Sequence, residues 1–150
     1  MLHQLEEYRI TKMLLMICVL SVVAGAQYEY GTPSELHGLK RVMIDTGASA
    51  NDYNKIKNEI DKAKLDLVIV TEDNRPEILL AFKDQGNWSG AGLIALPRGD
   101  AEHPSLRILY NFERSAHRAF TANSVKFAEK FISLYRKAND IKQDAQPDKR

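Results

Sequence analysis

Apolar and polar positions follow regular patterns over the first half of the chain. Consecutive apolar residues within 39–45 are typical of a strand that is buried on both faces. Apolar residues then recur every three or four positions over 50–64, which predicts a helix, with Ser49 as a candidate N-cap. A run rich in branched residues over 65–71 predicts a second strand. The order strand, helix, strand predicts a right-handed parallel crossover.

The second half of the chain has the pattern of a strand meander followed by a helix. Three strands are predicted over 78–82, 91–96 and 106–112, and the polar loops between them leave no room for a helix. An apolar stripe from Val125 to Ala138 predicts the last helix. The element order is therefore β-α-β-β-β-β-α. We expect an α+β fold, a two-layer α/β sandwich in which a mixed sheet carries both helices on one face.

The N-terminal segment has the pattern of an export signal. An uncharged apolar run, Met13–Ala26, follows the basic residues Arg9 and Lys12 and ends in small residues. The run has 14 residues, whereas a helix needs about 20 to cross the hydrocarbon layer of a membrane. We therefore expect residues 1–26 to be a cleavable signal peptide, without a stable transmembrane anchor, and the mature protein to be periplasmic or secreted.

The rest of the chain divides into three parts by composition. Gly31 and Pro33 predict an extended leader over 27–38. The regular periodicities predict one α/β domain over 39–139. The scarcity of apolar residues predicts a frayed tail over 140–150.

Charge, cysteine and histidine content narrow the classes of function. The net charge is +1, which does not favour a nucleic-acid binder. The single cysteine, Cys18, lies in the predicted signal peptide, so we expect no disulfide and no cysteine nucleophile in the mature domain. His37, His103 and His117 lie in separate irregular segments without metal-ligand spacing. We therefore expect neither a metal ion nor a cofactor.

A short motif follows the first predicted strand. The string from Met43 to Ser49, Met-Ile-Asp-Thr-Gly-Ala-Ser, resembles the active-site box of retropepsin-like aspartic proteases. The resemblance implies that Asp45, Thr46 and Gly47 form the catalytic loop, and that Asp45 pairs with its symmetry mate in a homodimer to activate water. The other interpretation is a strand-to-helix turn capped by Ser49. A helix directly after Ser49 favours the turn, whereas a strand pair and a flap favour the protease.

Three further motifs have interpretations that depend on their structural context. Residues Gly90–Ala95 match Gly-x-Gly-x-x-Ala, but the sequence after them predicts a strand rather than the helix of a dinucleotide site. Asn87-Trp-Ser89 is a glycosylation sequon, which matters only in a eukaryotic secretory route. Arg98-Gly-Asp100 matches the tripeptide of integrin ligands in a predicted loop.

A group of basic and aromatic residues precedes the last helix. Arg114, His117, Arg118 and Phe120 are the candidate binding residues. If their loop shares an edge of the sheet with the loop of Arg98, His103 and Arg107, the two loops form a mildly basic rim that could receive an acidic partner. The alternative is a solvated charged loop.

The domain as a whole resembles a small exported bacterial α/β domain family of unassigned function. The resemblance is carried by the first strand, Lys40–Asp45, and by the closing helix, Phe127–Asn139. It implies no catalytic residues. We therefore expect a non-enzymatic exported binding or accessory module of the cell envelope or extracellular space, whose partner is a protein or an acidic envelope polymer. The alternative is the dimeric aspartic protease built on Asp45, and the sequence leaves the oligomeric state open.

Overall fold

A computed structural model describes residues 27–86, 89–115 and 122–142. They form six strands and two helices, joined in places by short 3-10 turns. The strands are β1 (Gln27–Tyr30), β2 (Arg41–Asp45), β3 (Val68–Ile69), β4 (Ile78–Gly86), β5 (Ser89–Gly99) and β6 (Pro104–Ser115), and the helices are α1 (Ala50–Lys62) and α2 (Asn123–Ala138). The predicted signal peptide, residues 1–26, lies outside the described residues.

The strands form one mixed sheet in the order β1-β6-β5-β4-β2-β3. Strands β4, β5 and β6 are antiparallel neighbours, as expected for the predicted meander. Strand β2 is parallel to both β3 and β4, and β1 is parallel to β6. Both helices contribute to the apolar core on one face of this sheet. The predicted α+β class, with a mixed sheet and two helices on one face, is confirmed.

The segment predicted as an extended leader, 27–38, belongs to the folded unit. Its first four residues form the edge strand β1, and Leu36 in the following 3-10 turn is fully buried in the core. The strand is anchored because the N–H of Gly31 donates to the carbonyl of Ile108 at 2.8 Å. The domain therefore starts before residue 39, where the sequence pattern placed its boundary.

The core between the sheet and the helices is centred on aromatic side chains of α2. Phe127 is completely buried, and its ring lies 5.5 Å from the rings of both Phe82 and Phe112. The ring sits directly above Gly92 of β5, the position where a Cβ atom would meet it. About two turns further on, Tyr135 closes the core and its hydroxyl donates to the carbonyl of Leu39 at 2.7 Å. Helix α2 is thus fixed on the sheet at both of its ends.

The other face of the sheet carries a second apolar group, which we call the outer-face cluster. Its members are buried side chains that come only from strands β4, β5 and β6: Leu79, Ala81, Leu93, Ala95 and Ile108. Met43 and Leu106 pack against them. No described helix of this chain is long and apolar enough to cross a membrane.

Candidate functional site

The loop that resembles a protease box is a closed turn. Asp45 is the last residue of β2, and its Oδ1 accepts the N–H of Gly47 at 2.9 Å. The hydroxyl of Thr46 donates to the carbonyl of Ser49 at 2.8 Å. The polar groups of the loop therefore bond to one another across the turn, and Gly47 adopts a positive φ of 60° that suits glycine.

A helix follows this loop immediately. Ser49 caps α1, because its Oγ accepts the N–H of Asp52 at 3.3 Å and donates to the Asp52 carboxylate at 2.8 Å. Asp52 is buried, so its carboxylate serves the cap at the start of α1. A helix directly after Ser49 is the feature that distinguishes a strand-to-helix turn from a protease loop. This geometry therefore favours the turn.

Two of the basic residues of the predicted rim, Arg98 and Arg114, have described positions in the β5–β6 hairpin. Arg98 pairs with Ser105 near the hairpin turn, whereas Arg114 pairs with Gly90 at the opposite end of the same two strands. Arg98 and Arg114 themselves therefore lie at opposite ends of the hairpin. Of the candidate binding residues only Arg114 is described; His117, Arg118 and Phe120 lie outside the described residues, so their role stays a prediction.

Arg107, counted in the predicted rim, has a structural task. Its Nε donates to Glu35 at 2.6 Å and its Nη1 donates to Glu29 at 3.2 Å. The hydrogen bond from Arg107, with a second one from the N–H of Thr32, holds the pKa of Glu35 below its usual value. The guanidinium is thus engaged in tying β1 and the 3-10 turn to β6, and it is not available as a free cation for an acidic partner.

Two of the remaining sequence motifs have structural roles among the described residues. Residues Gly90–Ala95 lie inside β5, so they open no helix as a dinucleotide site requires. Asp100 closes the turn of the β5–β6 hairpin by accepting the N–H groups of Glu102 and His103. The sequon residues Asn87 and Trp88 lie outside the described residues.

Among the described residues we find no group of metal ligands, and a polar groove lies between the two helices. No three His, Cys, Asp or Glu side chains come close enough together there to hold a metal ion. His37 lies at the end of α2, where its Nδ1 is 3.0 Å from the carbonyl of Ala138. A polar groove of about 660 Å³ runs between the two helices, and two of its lining residues, Glu59 and Lys62, form an ion pair with each other.

The feature that sequence reasoning missed is the exposed edge strand β1. Tyr28 and Tyr30 are 37% and 66% exposed, and they lie two positions apart on one face of this edge strand. Register pairs them with Leu106 and Ile108, so their side chains share the face of the outer-face cluster. The spacing Tyr-Glu-Tyr is the one signal in the sequence that points to a strand here.

The backbone of β1 also offers hydrogen-bonding groups. Because Gly31 donates to Ile108 and backbone groups alternate sides along a strand, the N–H and C=O groups of Tyr28 and Tyr30 point away from β6. Strand β1 is the outermost strand on this side of the sheet. These four backbone groups therefore face outward from the described sheet.

Comparisons of the chain with protein-family models, curated proteins and solved structures found no match. The resemblance to a small exported bacterial family stays a prediction, and the assignment of a function rests on the geometry of the described residues.

Proposed function

We propose that the protein is an exported, non-enzymatic binding module and that a partner polypeptide adds to β1 as a further strand. The observation that carries the proposal is the exposure of Tyr28 and Tyr30 on an edge strand. Exposed edges recruit extended chains through main-chain hydrogen bonds, and side-chain pockets or aromatic contacts supply the specificity. Tyrosine is among the residues that contribute most to binding energy at interfaces.

Strand β1 is prepared for such a partner by contacts within the domain. Arg107 bonds Glu29 from the inner face and Glu35 from the following turn. The strand is therefore held in an extended conformation before any partner arrives. Binding then needs less ordering of the module, and a smaller entropic cost leaves more of the interaction energy for affinity.

Export is supported by the apolar run Met13–Ala26 and the small residues at its end. Expression of the full chain in a secretory host tests this part directly. We expect the product in the external or periplasmic fraction, with Gln27 as its first residue in the intact mass. Retention of residues 1–26 on a membrane-bound product would contradict both cleavage and free release.

The binding proposal is tested with peptides selected on the recovered product from a displayed random library. Tyr30→Pro removes an outward N–H without removing the inward bond of Gly31, so we expect it to weaken peptide binding about tenfold or more. Tyr28→Ala and Tyr30→Ala remove the aromatic contacts and should each weaken binding by about three- to tenfold.

The matched control is Val68→Ala, which shortens an apolar side chain that is 56% exposed on the opposite edge strand. Binding of the peptides should stay within about twofold of the parent for this variant. If Tyr30→Pro, with unchanged circular dichroism, binds the selected peptides as tightly as the parent, strand addition at β1 is wrong. Equal loss in Val68→Ala would likewise contradict a site at β1.

A further inference from the structure

The groove between α1 and α2, which we call the helix groove, has the size of a small-molecule site. Its volume is about 660 Å³, and such sites usually have volumes of about 300–1,000 Å³. The described residues that line it belong to neither β1 nor the outer-face cluster. Those used below are Glu59, Lys62 and Ala63 from α1, Glu129, Ile132 and Arg136 from α2, and Ile141, which follows α2.

Arg136 is a half-buried cation of the helix groove, and most of its hydrogen-bond donors are unused. Its Nη2 donates to the carbonyl of Ala63, at the end of α1, at 3.1 Å. Its Nε is buried and has no acceptor. A guanidinium has five N–H groups, and the bond to Ala63 is the only one that Arg136 forms among the described residues. Because buried donors without an acceptor are rare in native proteins, Arg136 has donors available for an acceptor that enters the groove.

The other charges of the helix groove are neutralised within their own helices. In α1, Lys62 donates to the carboxylate of Glu59 at 2.8 Å. In α2, Lys126 donates to the carboxylate of Glu129 at 2.7 Å. Arg136 forms no ion pair with any described residue. It is therefore the cation of this groove that is available to an anionic ligand, and a guanidinium binds carboxylates and phosphates through two parallel N–H bonds.

The helix groove also has an aliphatic wall. Ile132 and Ala63 line it, together with Ile141, which is 40% exposed. The end of α2 fixes the position of Ile141, because its N–H donates to the carbonyl of Arg136 at 2.9 Å and Asp140 adopts a positive φ of 53°. This is the hydrogen bond of a Schellman cap, which turns the chain back toward the last turn of the helix. An exposed isoleucine is thus held at the same groove as the guanidinium.

We propose that the helix groove binds a short aliphatic carboxylate. The carboxylate of the ligand accepts N–H groups of Arg136, and its hydrocarbon tail packs on the aliphatic wall. A singly charged acid is favoured over a phosphate dianion, because the carboxylates of Glu59 and Glu129 lie in the same lining and repel a second negative charge more strongly. This site goes beyond strand addition at β1 and does not rest on it.

Three small probes separate the charge from the tail. Hexanoate has both, hexanamide has the tail without the charge, and acetate has the charge without a long tail. Each is titrated into isotope-labelled protein recovered after expression of the full chain in a secretory host, and the amide chemical shifts are followed. We expect hexanoate to bind with a dissociation constant of about 1 mM and to shift the amides of Ser133, Arg136 and Ile141.

Hexanamide and acetate should each bind at least about tenfold more weakly than hexanoate. Hexanamide that binds as tightly as hexanoate would overturn the proposal, because the groove would then not recognise the charge. Acetate that binds as tightly would overturn it, because the aliphatic wall would contribute nothing. Absence of hexanoate binding up to about 50 mM would overturn it as well.

Variants test the two parts of the helix groove. Arg136→Gln should weaken hexanoate binding about tenfold or more, whereas Arg98→Gln, which removes an exposed arginine at the β5–β6 hairpin, should leave it within about twofold. Hexanoate that binds Arg136→Gln as tightly as the parent, or Arg98→Gln as weakly as Arg136→Gln, would overturn the proposal. In the first case Arg136 would serve only to cap the end of α1.

Arg136→Gln also removes the bond to Ala63, so its circular dichroism is compared with that of the parent. Ile141→Ala keeps this bond and tests the groove even if Arg136→Gln does not fold. It should weaken hexanoate binding about threefold and leave acetate binding within about twofold. Val68→Ala, at an exposed apolar residue of β3, is the matched control and should not change either affinity. Unchanged hexanoate binding in Ile141→Ala would contradict the aliphatic wall.

The helix groove and strand addition at β1 fail separately. Hexanoate should not displace the selected peptides, and Tyr30→Pro should bind hexanoate within about twofold of the parent. A protein that binds the peptides but not hexanoate contradicts the groove alone. A protein that binds hexanoate but no peptide at β1 contradicts strand addition alone.

Discussion

Helix α2 lies close to the sheet at Gly92, and adding one methyl group there should destabilise the domain. A Cβ atom built on Gly92 lies 2.4 Å from two carbon atoms of the Phe127 ring. Carbon atoms in contact are normally separated by about 3.5–4.0 Å. The ring of Phe127 would thus have to retreat by more than about 1 Å from its present position.

The size of the effect follows from what surrounds the ring. Phe127 is fully buried between Phe82 and Phe112, so no empty space receives it. Overpacking of this kind costs about 1–3 kcal/mol, and displacement from the aromatic neighbours adds about 0.5–1.5 kcal/mol. Replacing glycine by alanine in a strand returns about 0.5–1 kcal/mol. The net expectation for Gly92→Ala is a loss of about 2 kcal/mol in the free energy of unfolding.

The assay is urea unfolding followed by circular dichroism on the secreted product. The variants are Gly92→Ala, Phe127→Leu and the double variant. Leucine at 127 leaves room for the new methyl group, so we expect Gly92→Ala to cost at least about 1 kcal/mol less in the Phe127→Leu background. Glu129→Ala, on the exposed side of α2, serves as the control and should change stability by less than about 0.5 kcal/mol.

Two results would refute this reasoning. A Gly92→Ala variant as stable as the parent would mean that α2 does not approach β5 as closely as described. An equal cost of Gly92→Ala in both backgrounds would mean that the Phe127 ring is not the group that resists the methyl.

Three further variants test other contacts by urea unfolding, each against Glu129→Ala. Ser49→Ala removes the cap of α1 and should cost about 1 kcal/mol; no loss would contradict the capped turn. Tyr135→Phe leaves the Leu39 carbonyl without its donor and should cost about 1–2 kcal/mol; an unchanged midpoint would contradict this bond. The N–H groups of Lys40 and Arg41 lower the pKa of Glu77 below its usual 4.5, so its stabilisation is present above that value and is lost as the pH falls through the lowered pKa. Glu77→Gln should therefore unfold with less pH dependence between pH 7 and pH 3, and an unchanged profile would contradict this role.

Much of the fold follows from hydrophobic periodicity. The helix predicted over 50–64 is observed as Ala50–Lys62, with Ser49 as its cap. The three-stranded meander is observed with longer strands than predicted, because hairpin pairing continues into polar residues beyond 91–96. The strand predicted over 65–71 is reduced to Val68–Ile69, since it lies at an edge and pairs only with β2.

The candidate site was less accessible from the sequence. The inner side of strand β1 is not apolar, because it carries Glu29, which is paired with Arg107 far away in the chain. Without knowledge of that pairing, the sequence Gln-Tyr-Glu-Tyr is interpreted as part of a polar leader. The separation of Arg98 from Arg114 likewise depends on the register of β5 with β6, which loop composition does not specify.

The two central strands of the sheet carry an apolar pattern that two helices on one face do not explain. The runs Ile78–Phe82 and Ala91–Leu96 are continuously apolar or small, the pattern of strands covered on both faces. The sequence predicts only two helices for the domain, and both pack on one face of the sheet. In a two-layer fold the helices cover only one face of these central strands. Every second side chain of each strand then has no helix above it. In the structure these alternate side chains are nevertheless buried, and Leu79 and Ala95 are 2% and 0% exposed.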